Sequence, residues 1–456
     1  MYRVQFTDFR CFGQAEEVEI RPITMLVGEN SAGKTSFLAG LRFLLESMSP
    51  QSRNPFNHDP YYLGGFDQIA HVKGGRGGRA KSFSLSLRDT SPGNGRARSP
   101  NLTGGAKHLF TFAKGSPQPE LQSYEFHANG TEVMISLEGE NDAALTLQRH
   151  KGSNVTVAIP LRNSPPAAMV RGNTSYIPFL IRELAFPLHR YPRFEDINRG
   201  SSKLPSNDVE YETFPELVEV FQRSSRTLSQ NVFASAPVRT QPLRTYTPSE
   251  LLASSEGSNV PLELSRAKAR DPDRWSVIRN GLTSFGENSG LFSSIDIRQL
   301  GKGDIDPFQI MVRVGESGPA MNLADVGYGI SQVLPIIYQI QQSARHGTYL
   351  LQQPEVHLHP RAQAELGSLL ASVVAGTGKK PTFVVETHSD YLIDRVRMEV
   401  AAEKISPDDV TIVFFQRGPH GSTARNLFLN ELGEIKNVPD GYRDFFIQEH
   451  EKLLGL

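Results

Sequence analysis

Eight consecutive residues constrain this chain more than any others: Gly28-Glu29-Asn30-Ser31-Ala32-Gly33-Lys34-Thr35. They fit the pattern G-x-x-x-x-G-K-[ST], and each fixed position has a physical reason. Glycine at 28 and 33 lets the backbone turn tightly, so that successive N–H groups point inward at an anion. Lys34 brings a mobile positive charge, and the Thr35 hydroxyl can ligate a divalent cation. Before the loop, Ile23-Thr24-Met25-Leu26-Val27 is a short apolar, β-prone run that reads as a buried strand. After it, Phe37, Leu38, Leu41, Leu44, Leu45 and Met48 recur at helical spacing. A strand, a glycine loop and a helix whose positive end faces the loop make an anion cradle. Glu29, Asn30, Ser31, Ala32 and Ser36 complete its backbone, and the pattern assigns it to the phosphates of ATP with Mg²⁺.

A cradle of this kind needs a sizeable α/β core. The 456 residues leave room for two to four domain-sized units, or one core with insertions, and 38% apolar content is enough to fill it. Lys plus Arg number 48 against 49 Asp plus Glu, a net charge of −1. That excludes a surface basic throughout and leaves only a local patch for nucleic acid. Cys11 is the one cysteine, which excludes an internal disulfide and a thiolate metal cluster. No run approaches roughly eighteen apolar residues, and the start lacks a signal-peptide layout. The expectation is a cytoplasmic protein with no membrane span.

In chain order, the first twenty residues suggest strand, turn and strand. From Lys73 to Lys107 there are eight basic residues against one acid and eight glycines. Within it, 82–89 alternates as a strand and 90–106 reads as a flexible loop. This is either a solvated hairpin or a patch that tracks a nucleic acid or another anionic partner. Further strands are expected at 123–127, 133–137, 144–148 and 155–159, as an antiparallel sheet beside the cradle. Residues 162–290 read as an inserted, mainly helical subdomain with helices at 178–185, 215–228 and 275–285, between an N-terminal lobe (1–161) and a C-terminal lobe (291–456). In that last lobe, strands at 294–299, 309–314, 348–351, 382–386 and 410–416 alternate with helices from 324, 361 and 389 and near 442–454. Such alternation predicts a largely parallel sheet covered on both faces.

Three later stretches resemble the matching parts of the ABC-class ATPases: VGYGISQVLP from Val326, QQPEVHLHP from Gln352 and VVETHSDYL from Val384. They are most similar to the OLD-like and related AAA-labelled prokaryotic families. Phe9-Arg10-Cys11-Phe12 resembles an N-terminal stretch of the RecF and SMC relatives. The resemblance implies an ABC-ATPase head, a P-loop α/β fold with a mixed or parallel sheet, an antiparallel β subdomain and the helical insertion. Gly327, Gly329 and Ser331 open a helix and so form a second anion-binding end. In the resembled family that end reaches the γ-phosphate held by another subunit, which implies a homo-oligomer, at least a dimer around ATP. His388 resembles the switch histidine that hydrogen-bonds the γ-phosphate; the strand before it and an N-cap at Ser389 or Asp390 support this placement. Arg10 lies near the phosphates by the same resemblance, or is a surface arginine at a strand end. Asp67 or Gln68 is a candidate contact to Mg²⁺ and the attacking water. Pro335 is placed near the helix start, where proline is tolerated. His357 and His359 lack companion ligands at zinc spacing and are assigned to a turn that touches the opposite subunit.

One departure matters. The strand before the catalytic turn ordinarily ends in acids, the first holding Mg²⁺ and a following Glu polarising water. Here Gln352 and Gln353 stand there, followed by Pro354 and Glu355. Glutamine supplies no negative charge and accepts no proton at neutral pH. Three alternatives stay open: an introduced Glu→Gln change at Gln352, a natural ATP-gated switch with slow turnover, or Glu355 or Glu386 as the acid.

OLD-like nucleases append a metal-dependent TOPRIM domain. About 65 residues follow His388 here, without a Glu and D-x-D cluster. The expectation is therefore a regulatory ATPase that controls a separately encoded effector, a nuclease or toxin, and it looks most like the ATPase component of PARIS-type anti-phage systems. The alternatives are a RecF-like repair ATPase acting directly on DNA, and a nucleotide-gated scaffold without turnover.

Overall fold

A computed structural model provides the structure of the chain. It describes residues 1–14, 16–47, 56–74, 78–90, 105–116, 118–128, 131–138, 142–149, 155–160, 177, 219–226, 228, 232–237, 239–248, 257, 259–301, 303, 306–315, 317–343, 347–376, 378, 380–439 and 442. Its strands are β1 (Tyr2–Phe9), β2 (Phe12–Gln14), β3 (Val18–Ile20), β4 (Ile23–Gly28), β5 (Asn57–His58), β6 (Tyr61–Tyr62), β7 (Ser82–Asp89), β8 (Lys107–Ala113), β9 (Glu120–Ala128) and β10 (Thr131–Glu138). Then come β11 (Asp142–Arg149), β12 (Val155–Pro160), β13 (Val232–Ser235), β14 (Ser294–Gln299), β15 (Phe308–Arg313), β16 (Ala320–Asn322), β17 (Thr348–Gln352), β18 (Thr382–Glu386), β19 (Val410–Gly418) and β20 (Gly421–Phe428). The helices are α1 (Lys34–Ser47), α2 (Phe66–Ile69), α3 (Val260–Arg270), α4 (Pro272–Ser289), α5 (Tyr328–Gln341), α6 (Pro360–Val374) and α7 (Asp390–Ala401). Two compact units result. The first is Met1–Glu19, Ser36–Gln230 and Arg417–Thr423; the second is Ile20–Thr35, Asn231–Gln416 and Ala424–Leu456.

Alternation of apolar and polar residues builds the first unit. Its sheet runs β12-β11-β10-β9-β8-β7-β1-β2, with β3 beside β1, and neighbours along that path pair antiparallel. Phe83 and Leu85 on β7, Phe110 and Phe112 on β8, and Tyr124 and Phe126 on β9 are buried on one face. Phe43 of α1 meets Phe112 edge-on at 5.3 Å and stacks on Phe56 at 4.3 Å. Each such pair adds about 0.5–1.5 kcal/mol beyond its buried area.

Strand β8 was not expected. A histidine at an inward position breaks the apolar alternation of Lys107–Ala113, and the structure shows how it is tolerated. His108 is fully buried, with Nδ1 2.7 Å from the Tyr124 hydroxyl and Nε2 2.8 Å from Ser224 Oγ. Burial lowers its pKa to about 3. The folded ring therefore stays neutral while the unfolded one takes a proton below its ordinary 6.5. This contribution is full above pH 6.5 and is lost as pH falls towards about 3. Tyr124→Phe strands one ring nitrogen and is expected to lower stability by about 1–3 kcal/mol in denaturant unfolding. An unchanged midpoint would show that the nitrogen needs no partner.

The second unit is the expected largely parallel sheet. Its order is β13-β17-β18-β4-β19-β20, and the pairs from β13 to β19 are parallel. A smaller antiparallel sheet, β14-β15-β16, completes its strands. The α/β class with a P-loop between β4 and α1 is thus observed. Trp275, Ile278, Leu282 and Phe285 of α4 fall on one helical face and share a core with Ile337 of α5 and Leu366 and Leu370 of α6.

Three readings need correction. Residues 231–290 do not stand apart as an insertion, because β13 pairs with β17 and α4 contributes to the same core as α6. Periodicity identified the helix at 275–285 but not the sheet it covers. Pro335 lies in the interior of α5, not near its start, and its missing N–H leaves the Ser331 carbonyl without its helical donor. The first twenty residues hold three strands, β1 and the short β2 and β3, not two. Residues 91–104, the helix expected at 178–185 and most of 442–454 lie outside the described residues, and 219–226 is helical as expected.

Candidate active site

The phosphate loop joins β4 to α1 inside the second unit. Gly28 has φ 131°, and Ser31 and Gly33 also have positive φ, at 60° and 107°. A Cβ on Gly28 would lie 2.2 Å from the Phe415 carbonyl oxygen of β19, so only glycine lets the loop leave the sheet here. Lys34 is 3% exposed, and its ammonium donates to the carbonyls of Gly28 (2.9 Å) and Glu29 (2.8 Å). Burial lowers its pKa, with Glu386 and Glu29 opposing.

Parallel pairing carries two further side chains to Thr35. Gln352 at the end of β17 is in register with Glu386 at the end of β18, and Glu386 is in register with Leu26 of β4. The carboxyl ends of three neighbouring strands therefore meet at the loop, where doubly wound sheets build sites. Thr35 Oγ1 donates to both oxygens of Glu386, at 3.0 and 3.2 Å, and accepts from Gln352 Nε2 at 3.1 Å. Burial pushes the Glu386 carboxyl up, against the Thr35 hydrogen bond and Lys34, while Glu355 pushes it further up.

A second acid stands behind the first. Glu355 is 6% exposed, and its Oε1 accepts the His388 N–H at 2.8 Å. Burial raises its pKa and the His388 N–H opposes this most. His388 is partly exposed, and the desolvation of its remaining part, then Lys34, lower its pKa. Ser389 caps α7 by accepting from the Leu392 N–H at 3.0 Å, and it donates to Gln363 Oε1 at 2.6 Å. These bonds hold the two loops after β17 and β18 against one another.

With that geometry in place, two family models match. One, described as "AAA domain, putative AbiEii toxin, Type IV TA system", covers residues 190–394; another, described as "AAA domain", covers 3–153. The chain carries AAA-type ATPase domains. Curated proteins give no match. Solved structures similar to it include an Smc head bound to the C-winged helix domain of ScpA, at 11% identity and TM-score 0.46, covering 94% of this chain and 98% of that one. An Smc head domain with a coiled coil and joint from Pyrococcus yayanosii is 12% identical with TM-score 0.42, covering 99% and 100%. The SMC head domain from Thermotoga maritima is 10% identical with TM-score 0.36, covering 93% and 97%.

The other candidates are placed as follows. Gly327 caps α5, and Gly329 and Ser331 lie in its first turn. A Cβ on Gly329 would lie 2.6 Å from the His357 carbonyl, and the Tyr328 ring meets the His357 ring edge-on at 5.0 Å. The helix start therefore rests on the loop after Glu355. Ser331 Oγ donates to the Tyr328 carbonyl at 2.8 Å. Arg10, Ser36 and Gln68 belong to the first unit. Arg10 donates its N–H to the Ile69 carbonyl and its Nη2 to the Leu63 carbonyl at 3.3 Å. Gln68 Oε1 accepts the Gly65 N–H at 2.9 Å, closing the short α2, and Asp67 pairs with Lys114 at 2.8 Å.

The basic stretch is partly neutralised: Lys73 pairs with Asp8 at 3.0 Å and Arg88 with Glu17 at 3.1 Å. Among the described residues the one group of His, Cys, Asp and Glu with metal-like spacing is Glu125, His127 and Glu132, not His357 or His359. Its carboxylates sit on different ring nitrogens, at 3.3 Å from Nε2 and 3.6 Å from Nδ1, which is the arrangement of a histidine between two acids. No described helix is long and apolar enough to cross a membrane. Arg239, beside Gln352 and Gln353, escaped the sequence reading, because a single arginine in a Pro-flanked stretch carries no pattern.

Proposed function

We propose that this chain is a regulatory ATPase: it binds ATP and Mg²⁺, pairs with a second copy around the nucleotide, and controls a separately encoded effector in prokaryotic anti-phage defence. The observation that carries the catalytic part is the convergence of Glu386 and Gln352 on Thr35. Hydroxyl, carboxylate and amide oxygens are the donor set a hard cation prefers, so the residues fit Mg²⁺. Thr35, Glu386 and Gln352 would hold it, with the Gln352 amide turned to present its oxygen. When bound, Mg²⁺ supplies charge neutralisation at the phosphate oxygens. Lys34 and the loop N–H groups receive the phosphates. Glu386 brings the negative charge that Gln352 lacks, which favours the reading in which a neighbouring acid replaces the missing one. Glu355, held through the His388 N–H, is the second buried carboxylate and the candidate acceptor of a proton from water.

The exposed Gly327 and Tyr328 at the start of α5 support the shared-site reading, and the AbiEii-like match supports defence. The test is ATP turnover and ATP-dependent association on the unmodified chain and on Gly327→Arg, where an added Cβ meets open space. Sedimentation should show a larger species with ATP and Mg²⁺ that Gly327→Arg abolishes, while binding of a fluorescent ATP analogue stays within about twofold. Association unaffected by Gly327→Arg would remove α5 from the interface.

A further inference from the structure

Arg239 follows β13 and is 2% exposed. Its Nη2 donates to the carbonyls of Gln352 and Gln353, each at 3.4 Å, and its Nε and Nη1 have no hydrogen-bond partner. A buried guanidinium with two idle nitrogens is costly, and an apolar side chain would fill the space without that cost. Glu355 is the counterpart: Oε1 takes the His388 N–H, and Oε2 is buried without a partner. Each charge steadies the other, since Glu355 opposes the fall of the Arg239 pKa to about 10 and Arg239 opposes the rise at Glu355. The backbone they flank is shaped in detail. Gln353 has φ 43°, its N–H donates to the Glu386 carbonyl at 2.9 Å, and the Gln352 N–H donates to Ser235 Oγ at 3.4 Å.

We infer that Arg239 is a positioning residue of the catalytic turn: it pins the Gln352 and Gln353 carbonyls, and its fixed positive charge acts on the Glu355 carboxylate through space, without an ion pair between them. The inference rests on the proposed ATPase reading. Arg239 acts through the turn and the acid rather than on nucleotide, so its loss should separate turnover from binding.

The test uses the full chain with ATP and Mg²⁺, comparing Arg239→Met, Arg239→Lys, Glu355→Gln and the Met/Gln pair. Arg239→Met should lower kcat about a hundredfold with KM and analogue binding within about twofold, and Arg239→Lys should recover part of the loss. Arg239→Met should also lower the thermal midpoint more in the parent chain than in the Glu355→Gln background, because only the parent keeps a lone buried carboxylate. An unchanged kcat, an equal loss of binding, no recovery with lysine, or equal midpoint shifts would each overturn the assignment. Should Arg239→Met fail to fold in the parent, folding in the Glu355→Gln background supports the pairing and failure there too refutes it. Absence of turnover in the unmodified chain defeats the ATPase reading, while the midpoint comparison still decides whether Arg239 and Glu355 are coupled.

Discussion

Glu386→Gln should lower ATP turnover by about a hundred- to ten-thousandfold while leaving nucleotide bound. The size follows from position: its carboxylate is the only acid that the described residues hydrogen-bond to Thr35. Turnover and analogue binding measured on one preparation check it, and turnover within threefold or so of the parent would show that the charge comes from elsewhere. Restoring an acid beside it, Gln352→Glu, separates the remaining alternatives. A large gain would mark Gln352 as a brake, and no gain would leave Glu386 sufficient. Glu386→Gln also has a stability signature. Burial raises the Glu386 pKa in the fold, so the folded chain holds its proton to higher pH than the unfolded one. Stability from this group is then present below the unfolded value and lost as pH rises through the folded one. A neutral glutamine lacks that loss. The variant should melt higher than the parent at about pH 8, and this gain should vanish by about pH 4.

Gly28→Ala is expected to be the most damaging small substitution in the second unit. The new methyl would stand 2.2 Å from the Phe415 carbonyl oxygen, on a backbone with φ 131°. Neither β4 nor β19 can yield without breaking the register that joins Val27 to Phe414 and Gly28 to Phe415. The expected loss is about 3 kcal/mol or more, with nucleotide binding lost as well. Thermal unfolding and analogue binding report the two effects separately. A variant that melts with the parent would mean the strand ends have slack.

What was legible in the sequence was whatever is local. The loop, the strand ending at Glu386 and the cap at Ser389 follow from spacing and residue type over a few positions. Glu386 was one of two candidate acids, and nothing local could choose between them, since its meeting with Thr35 depends on parallel register between β17, β18 and β4. Strand β8 was hidden for the opposite reason. Its inward histidine looks polar until Tyr124 and Ser224, from distant parts of the chain, are seen to satisfy it. The interior position of Pro335 was missed because the motif that opens α5 does not say where the first helical hydrogen bond forms.

The close approach of Gly329 to the His357 carbonyl has a mechanical meaning. A side chain at 329 would meet that oxygen, so glycine is what lets the first turn of α5 lie against the loop behind Glu355. Tyr328, exposed on that turn and edge-on to His357, is the side chain through which a docked copy, under the proposed function, would bear on the loop that carries Glu355.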